Sequence, residues 1–278
     1  MVKSGINIEG IEMSEDCKSL EKKAKGFEKD NLMEAIEHYK QAANCFGIND
    51  KQKDQSSNLE KAAKLLRNLG KDIHNPVEAL VEFTKSSEVY IEAGKPGEAE
   101  KVMLDAQHKF EESVRRIRSE VKNLENPEEA EKKLVLASEY ALQAKNEPLS
   151  RECWIDSAEI YRISAKKIDE PREALEVFKN AIHNYLKGES EERKFAALIE
   201  AADKFNEKAE KISKTKKQLI LAIDNYLQAG TIYESAKAED QATNTEIQIH
   251  EICDTIGLPI EFITSYLESQ NIFPIILD

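Results

Sequence analysis

The side chains of this sequence best suited to metal or nucleophilic chemistry are its histidines and cysteines, and they are scattered. The histidines are His38, His74, His108, His183 and His250, and the cysteines are Cys17, Cys45, Cys153 and Cys253. Only His250 and Cys253 stand three apart, where one helical turn would bring them together. Two ligands fall short of the four that a zinc site takes. The phosphate-loop, nucleophile-elbow and zinc-protease patterns GxxxxGK[ST], GxSxG and HExxH are absent. The sequence therefore nominates no catalytic residue, no cofactor site and no metal site, and it reads as a non-enzyme. The concentrated chemistry is positive charge. Arg115, Arg116, Arg118 and Lys122 form one cluster; Lys208, Lys211, Lys214, Lys216 and Lys217 form a second. Taken alone, both fit solvated charge near helix C-termini, which the helix dipole favours.

The elements that carry these residues announce themselves as a repeat. From Ala79 an aromatic follows at +4 (Phe83), a small residue at +7 (Ser86) and an aromatic at +11 (Tyr90). The same offsets give Ala35, Tyr39, Ala42 and Phe46; Ala174, Phe178, Ala181 and Tyr185; and Ala222, Tyr226, Ala229 and Tyr233. A weaker copy has Ala130, Leu134, Ala137 and Ala141. Offsets of 4, 7 and 11 lie on one helical face, and small residues between rings let a neighbouring helix approach closely. The rings are accordingly read as packing, as is Trp154. Asn31, Asn75 and Asn126 each precede a glutamate by three residues, the pattern of a capping box. Pro76, Pro127 and Pro171 suit the first helical position.

Read in order, residues 1–16 form a flexible leader, with a short charged helix from Cys17 to Lys29. Hairpins follow over 17–257: Asn31–Ile48 with Ser57–Leu69, Pro76–Glu92 with Gly97–Lys122, Pro127–Lys145 with Leu149–Lys167, Pro171–Leu186 with Ser190–Lys211, and Lys216–Ala236 with Asp240–Ile256. Gly70, Gly94 and Gly257 read as helix stops. Residues 258–278 form a cap and tail, with a last helix over Ile260–Leu267 and an apolar stretch, Ile272–Leu277, expected to fold back. The anchors are spaced 44 to 51 residues apart, longer than the 34 of a standard tetratricopeptide repeat. The expected fold is all-α: a right-handed superhelix of about five antiparallel, tetratricopeptide-like hairpins with a short C-terminal helical cap.

Composition bounds the partners. A formal charge of −13 argues against non-specific binding to nucleic acid. Widely spaced cysteines without a CxxC pair suggest reduced, buried thiols of a cytoplasmic protein. No export signal is visible, and no run approaches the ~20 apolar residues that span a bilayer.

At this point the chain resembles the soluble NSF attachment proteins, the SNAP adaptors of SNARE disassembly. The residues that carry the likeness are EAIEHYKQAANCF at Glu34–Phe46, KAAKLL at Lys61–Leu66, EAGKPGEA at Glu92–Ala99 and EIY at Glu159–Tyr161. The resemblance covers roughly Leu20 to Ala236. It implies an adaptor that holds a helical-bundle, SNARE-like partner on its concave face and recruits an NSF-like AAA ATPase for disassembly in vesicle transport. It also implies that the two basic clusters line the bundle-facing surface and that Glu261, Glu268 and Asp278 face the ATPase. The family's apolar membrane-contacting loop is replaced here by Ala24–Asn31, with only Gly26 and Phe27 among charges. Any membrane association is expected to be peripheral. The basic, leucine-rich end of the family is replaced by the acidic Ile263–Asp278. A scaffold of the same hairpins that binds a peptide or signalling partner is the alternative reading.

Overall fold

The computed structural model describes the backbone of residues 8–124 and 126–269, and side chains from residue 16 onward within them. Among the described residues the chain is all helical. Twelve α-helices follow one another: α1 Ile8–Phe27, α2 Leu32–Ile48, α3 Gln52–Asp72, α4 Pro76–Glu92, α5 Pro96–Val121, α6 Pro127–Gln143, α7 Glu147–Lys166, α8 Pro171–Lys187, α9 Glu191–Ser213, α10 Leu219–Ser235, α11 Glu239–Ile256 and α12 Ile260–Ser269. A 3-10 turn, Lys216–Gln218, leads into α10. The chain divides into two compact units. The first ends within α5 at Arg116 and includes Gln143–Lys145; the second holds the remainder. Consecutive helices pack together within each unit, as in α2 on α3, α3 on α4, α7 on α8 and α9 on α10.

Burial follows the repeat. Every anchor alanine and every residue at +4, +7 and +11 is no more than 3% exposed, in all five copies, including the weak one at Ala130. Alternating rings and small residues are what the partner helices require. Ser86 fills its small position and donates its hydroxyl to the Ala63 carbonyl of α3 at 2.7 Å.

The turns repeat as strictly as the cores. At +15 from each anchor the backbone is left-handed: Asp50 (φ 55°), Gly94 (φ 74°), Lys145 (φ 57°), Glu189 (φ 52°) and Lys237 (φ 58°). At +16 the N–H returns to the carbonyl of the +11 residue: Lys51 to Phe46, Lys95 to Tyr90, Asn146 to Ala141, Ser190 to Tyr185 and Ala238 to Tyr233, at 2.8 to 2.9 Å. This six-to-one bond closes the helix end and turns the chain back. Only one of the five positions uses the glycine that such a conformation favours. The next helix starts are capped as expected at Asn31, which accepts from the Glu34 N–H, and at Asn126, which accepts from the N–H groups of Glu128 and Glu129. At Asn75 the side chain accepts from the Val77 N–H instead, and its amide donates to Glu78. Asn146 adds a cap that the Asn-x-x-Glu pattern does not reveal, accepting from the Leu149 N–H at 3.1 Å.

Four expectations are corrected. The first helix begins at Ile8, so the leader is helical over its second half. Gly70 is not a stop: it lies inside α3, and a Cβ there would sit 3.0 Å from the Phe83 ring. A side chain there would press on the Phe83 ring of α4. Trp154 is only partly buried, with the Lys187 ammonium 4.1 Å above its ring. Cys17 and Cys45 are not free thiols but are joined in a disulfide that ties α1 to α2 across 28 residues, with Cα atoms 5.5 Å apart. Packing of consecutive helices brings together cysteines that sequence spacing separates. Cys153 and Cys253 are buried free thiols, and burial pushes the Cys153 thiol up to about 12.

Candidate functional site

The second helices of the repeat are braced by charge at a fixed interval. In the first unit Arg67 of α3 donates through Nε to Asp105 of α5 at 2.7 Å, 38 residues on. In the second unit Arg118 of α5 donates to Asp156 of α7 at 2.6 Å and also to Glu152. Arg162 of α7 grips Glu200 of α9 with both Nε and Nη2, at 2.7 and 2.6 Å, again 38 residues on. Lys208 of α9 bonds both oxygens of Glu170 at 2.7 Å. A two-pronged guanidinium–carboxylate contact fixes orientation as well as distance. Burial pushes the Glu200 carboxyl up, but hydrogen bonds from Arg162 and Lys166 outweigh it and hold the group below the usual carboxylate range. Asp105 is held down likewise by Arg67 and Lys71 against its own burial.

This ladder absorbs part of both basic clusters. Arg118 and Lys208 serve as internal braces. Arg115 is exposed and pairs with Glu111 one turn back at 3.2 Å. Arg116 and Lys122 are exposed at the end of α5. Lys211, Lys214, Lys216 and Lys217 are exposed around the turn from α9 into α10 and make no ion pair among the described residues. Glu261 and Glu268 are exposed on α12, while Asp278 lies outside the described residues, as does Ile272–Leu277. His250 is exposed and Cys253 turns into the core of α10–α12. No group of three metal-binding side chains occurs among the described residues. No helix among them is long and apolar enough to cross a membrane.

Two of the surface grooves carry apolar walls. Between α4 and α5, Ser87, Ile91, Ala99, Met103 and Leu104 line an open trough. Between α8, α9 and the end of α10, a pocket of about 240 Å³ has Ile182, Leu186 and Leu198 on its apolar side. Lys179, His183, Lys194 and Ser235 supply its polar side. The grooves occupy the same register: Ser87, Ile91, Ala99 and Met103 become Ile182, Leu186, Lys194 and Leu198 after 95 residues. Lys179, His183 and Lys187 lie at successive four-residue steps of α8. That spacing was available in the sequence. A search for metal-ligand and cluster patterns passes over it, because four-residue steps do not look like a cluster in linear order. Lys194 and Lys237 could not be joined to it before the fold placed them about one ring, their ammonium groups 4.5 and 5.0 Å from the centre of Phe195.

No protein-family model matches the chain, and no curated protein matches it significantly.

Proposed function

We propose that the chain is a non-catalytic adaptor: a right-handed superhelix of five helical hairpins that holds a helical-bundle partner and delivers it to an ATPase. The observation that carries this reading is the outward side of the repeat. In three of the five copies an aliphatic stands one residue beyond the buried +11 position: Ile91, Leu142 and Leu186, exposed by 61%, 53% and 51%; in the other two it is Gly47 and Glu234. Aliphatic side chains left in water at a repeated position present recurring contacts for a long partner. Lys211, Lys214, Lys216 and Lys217 add positive charge that no carboxylate of the described chain neutralises, which steers an acidic partner. The similarity to the SNAP family at Glu34–Phe46 and Glu92–Ala99 names the partner class: SNARE-like coiled-coil bundles and an NSF-like AAA ATPase, in the cytoplasm and at most peripheral to membranes. Glu261 and Glu268 are then the exposed acids at the ATPase end.

The test is binding of the purified chain to a reconstituted four-helix SNARE-type bundle, with an NSF-like ATPase and ATP added in a second step. Retention of both, followed by bundle release on hydrolysis, supports the adaptor. Failure to bind the bundle under low-salt conditions sinks it. The trough between α4 and α5 favours the second reading, a scaffold for a short amphipathic peptide. That reading predicts peptide binding blocked by Met103→Glu and no response to ATP.

A further inference from the structure

We propose that the pocket between α8, α9 and the end of α10 binds a compact phosphate monoester, a function separate from the adaptor reading. Four observations lead there. First, three cationic or ionisable donors, Lys179, His183 and Lys194, border one cavity of about 240 Å³ in a chain whose formal charge is −13. Second, Lys179, His183 and Lys187 repeat at four-residue steps along α8 and so lie along one helical face. Of the three, Lys179 alone forms an ion pair among the described residues, with Glu176 at 3.0 Å.

Third, Lys194 and Lys237 approach the same ring, Phe195, at 4.5 and 5.0 Å, which places two ammonium groups about one side chain. Fourth, the equivalent groove carries the opposite sign. The α4 positions matching Lys179, His183 and Lys187 are Thr84, Glu88 and Glu92, so the repeat itself does not demand the cations.

The chemistry of the lining selects the ligand. Lysines act as point charges on mobile stems and suit a phosphate with several oxygens and up to two negative charges. Ile182, Leu186 and Leu198 offer a short apolar wall for the ester carbon chain. The volume of about 240 Å³ suits a compact ligand. The Ser235 hydroxyl already donates to the Thr231 carbonyl at 3.0 Å, leaving its oxygen as an acceptor. The phosphate is either that of a free small ester or that of a monoester lipid headgroup.

The full chain is titrated at low ionic strength with n-butyl phosphate, inorganic phosphate and n-butanol. Binding is followed by calorimetry and by fluorescence of Trp154, the single tryptophan, an α7 residue whose ring lies under the Lys187 ammonium of α8. Saturable one-site binding of butyl phosphate is expected, about tenfold or more tighter than inorganic phosphate or butanol. The double variant Lys179→Gln with Lys194→Gln should weaken it by a further factor of about ten or more. Glu88→Gln in the equivalent groove should leave it unchanged. Circular dichroism checks that the variants fold, and His183→Gln alone provides a second, milder variant. No saturable binding, or binding indifferent to both the double variant and His183→Gln, overturns the proposal. Co-sedimentation with phosphatidylcholine vesicles, with and without phosphatidic acid, separates the sources. Acid-dependent sedimentation lost in the double variant identifies the lipid, and butyl phosphate binding without sedimentation identifies a free ester.

Discussion

The α4–α5 groove and the α8–α9 groove are built on one register, yet they present opposite surfaces. Along the first helix of each, Thr84, Glu88 and Glu92 in one become Lys179, His183 and Lys187 in the other. Along the second helix, Ala99 becomes Lys194. The buried positions beneath hardly change: Ala79, Phe83 and Tyr90 match Ala174, Phe178 and Tyr185, all within 3% of full burial. The buried positions of the two grooves keep rings and small residues at fixed steps, whereas their outer positions vary. Function in such a molecule is to be sought where equivalent positions disagree.

The braces behind the two grooves also differ, and the largest expected effect lies there. Arg162 holds Glu200 by two parallel bonds, while Arg67 reaches Asp105 through one; a lysine shares each acid, Lys166 on Glu200 and Lys71 on Asp105. Arg162→Met should cost about 2–3 kcal/mol in urea unfolding, between the values for exposed and buried ion pairs; Arg67→Met should cost about 1 kcal/mol. Equal losses would mean that the two-pronged contact adds nothing. The same brace predicts an acid response. Because the folded Glu200 carboxyl lies below its unfolded value, its stabilisation is complete above the unfolded pKa of about 4.3 and drains as pH falls through the folded one. Arg162→Met should therefore flatten the loss of stability below about pH 5, as read from urea midpoints over a pH series.

A smaller effect separates the helix contacts under each groove. A Cβ at Gly70 would meet the Phe83 ring at 3.0 Å, and one at Gly188 would meet Ile155 Cγ1 at 2.7 Å and the Arg151 carbonyl at 3.2 Å. Both alanine variants should lose about 1–3 kcal/mol through overpacking, with Gly188→Ala the worse because backbone blocks relief on one side. Thermal melts of the two variants rank them, and the reverse order would show that the Phe83 ring yields less than the α7 backbone.

The smallest effect concerns the turns. Gly94 and Glu189 hold equivalent left-handed positions after α4 and α8. Gly94→Ala should destabilise by about 1 kcal/mol and Glu189→Gly should stabilise by a comparable amount. A loss in the second would mean that the Glu189 side chain, which pairs with Arg151 at 3.0 Å, outweighs its backbone strain.

Much of the architecture was legible because it is local and periodic. The 4-7-11 pattern located the buried face of α2, α4, α6, α8 and α10, since side chains on one helical face must share one environment. Asn31, Asn126, Pro76, Pro127 and Pro171 marked helix starts because capping depends only on neighbours within a turn. The basic clusters were legible as composition but not as assignments. Arg118 and Lys208 enter internal ladders because their acids, Asp156 and Glu170, lie 38 residues away in opposite directions along the chain. Gly70 looked like a stop because its neighbour Phe83 is distant in sequence.

By itself, then, the sequence determined most of the helices and their buried faces, consequences of hydrophobic period and short-range hydrogen bonding. Only the tertiary structure decided which charges are neutralised, which cysteines meet, and that Lys179, His183 and Lys194 line one pocket. These depend on the side-by-side packing of successive helices, where residues tens of positions apart come within a few ångströms and the Coulomb energy of each pair follows distance in space.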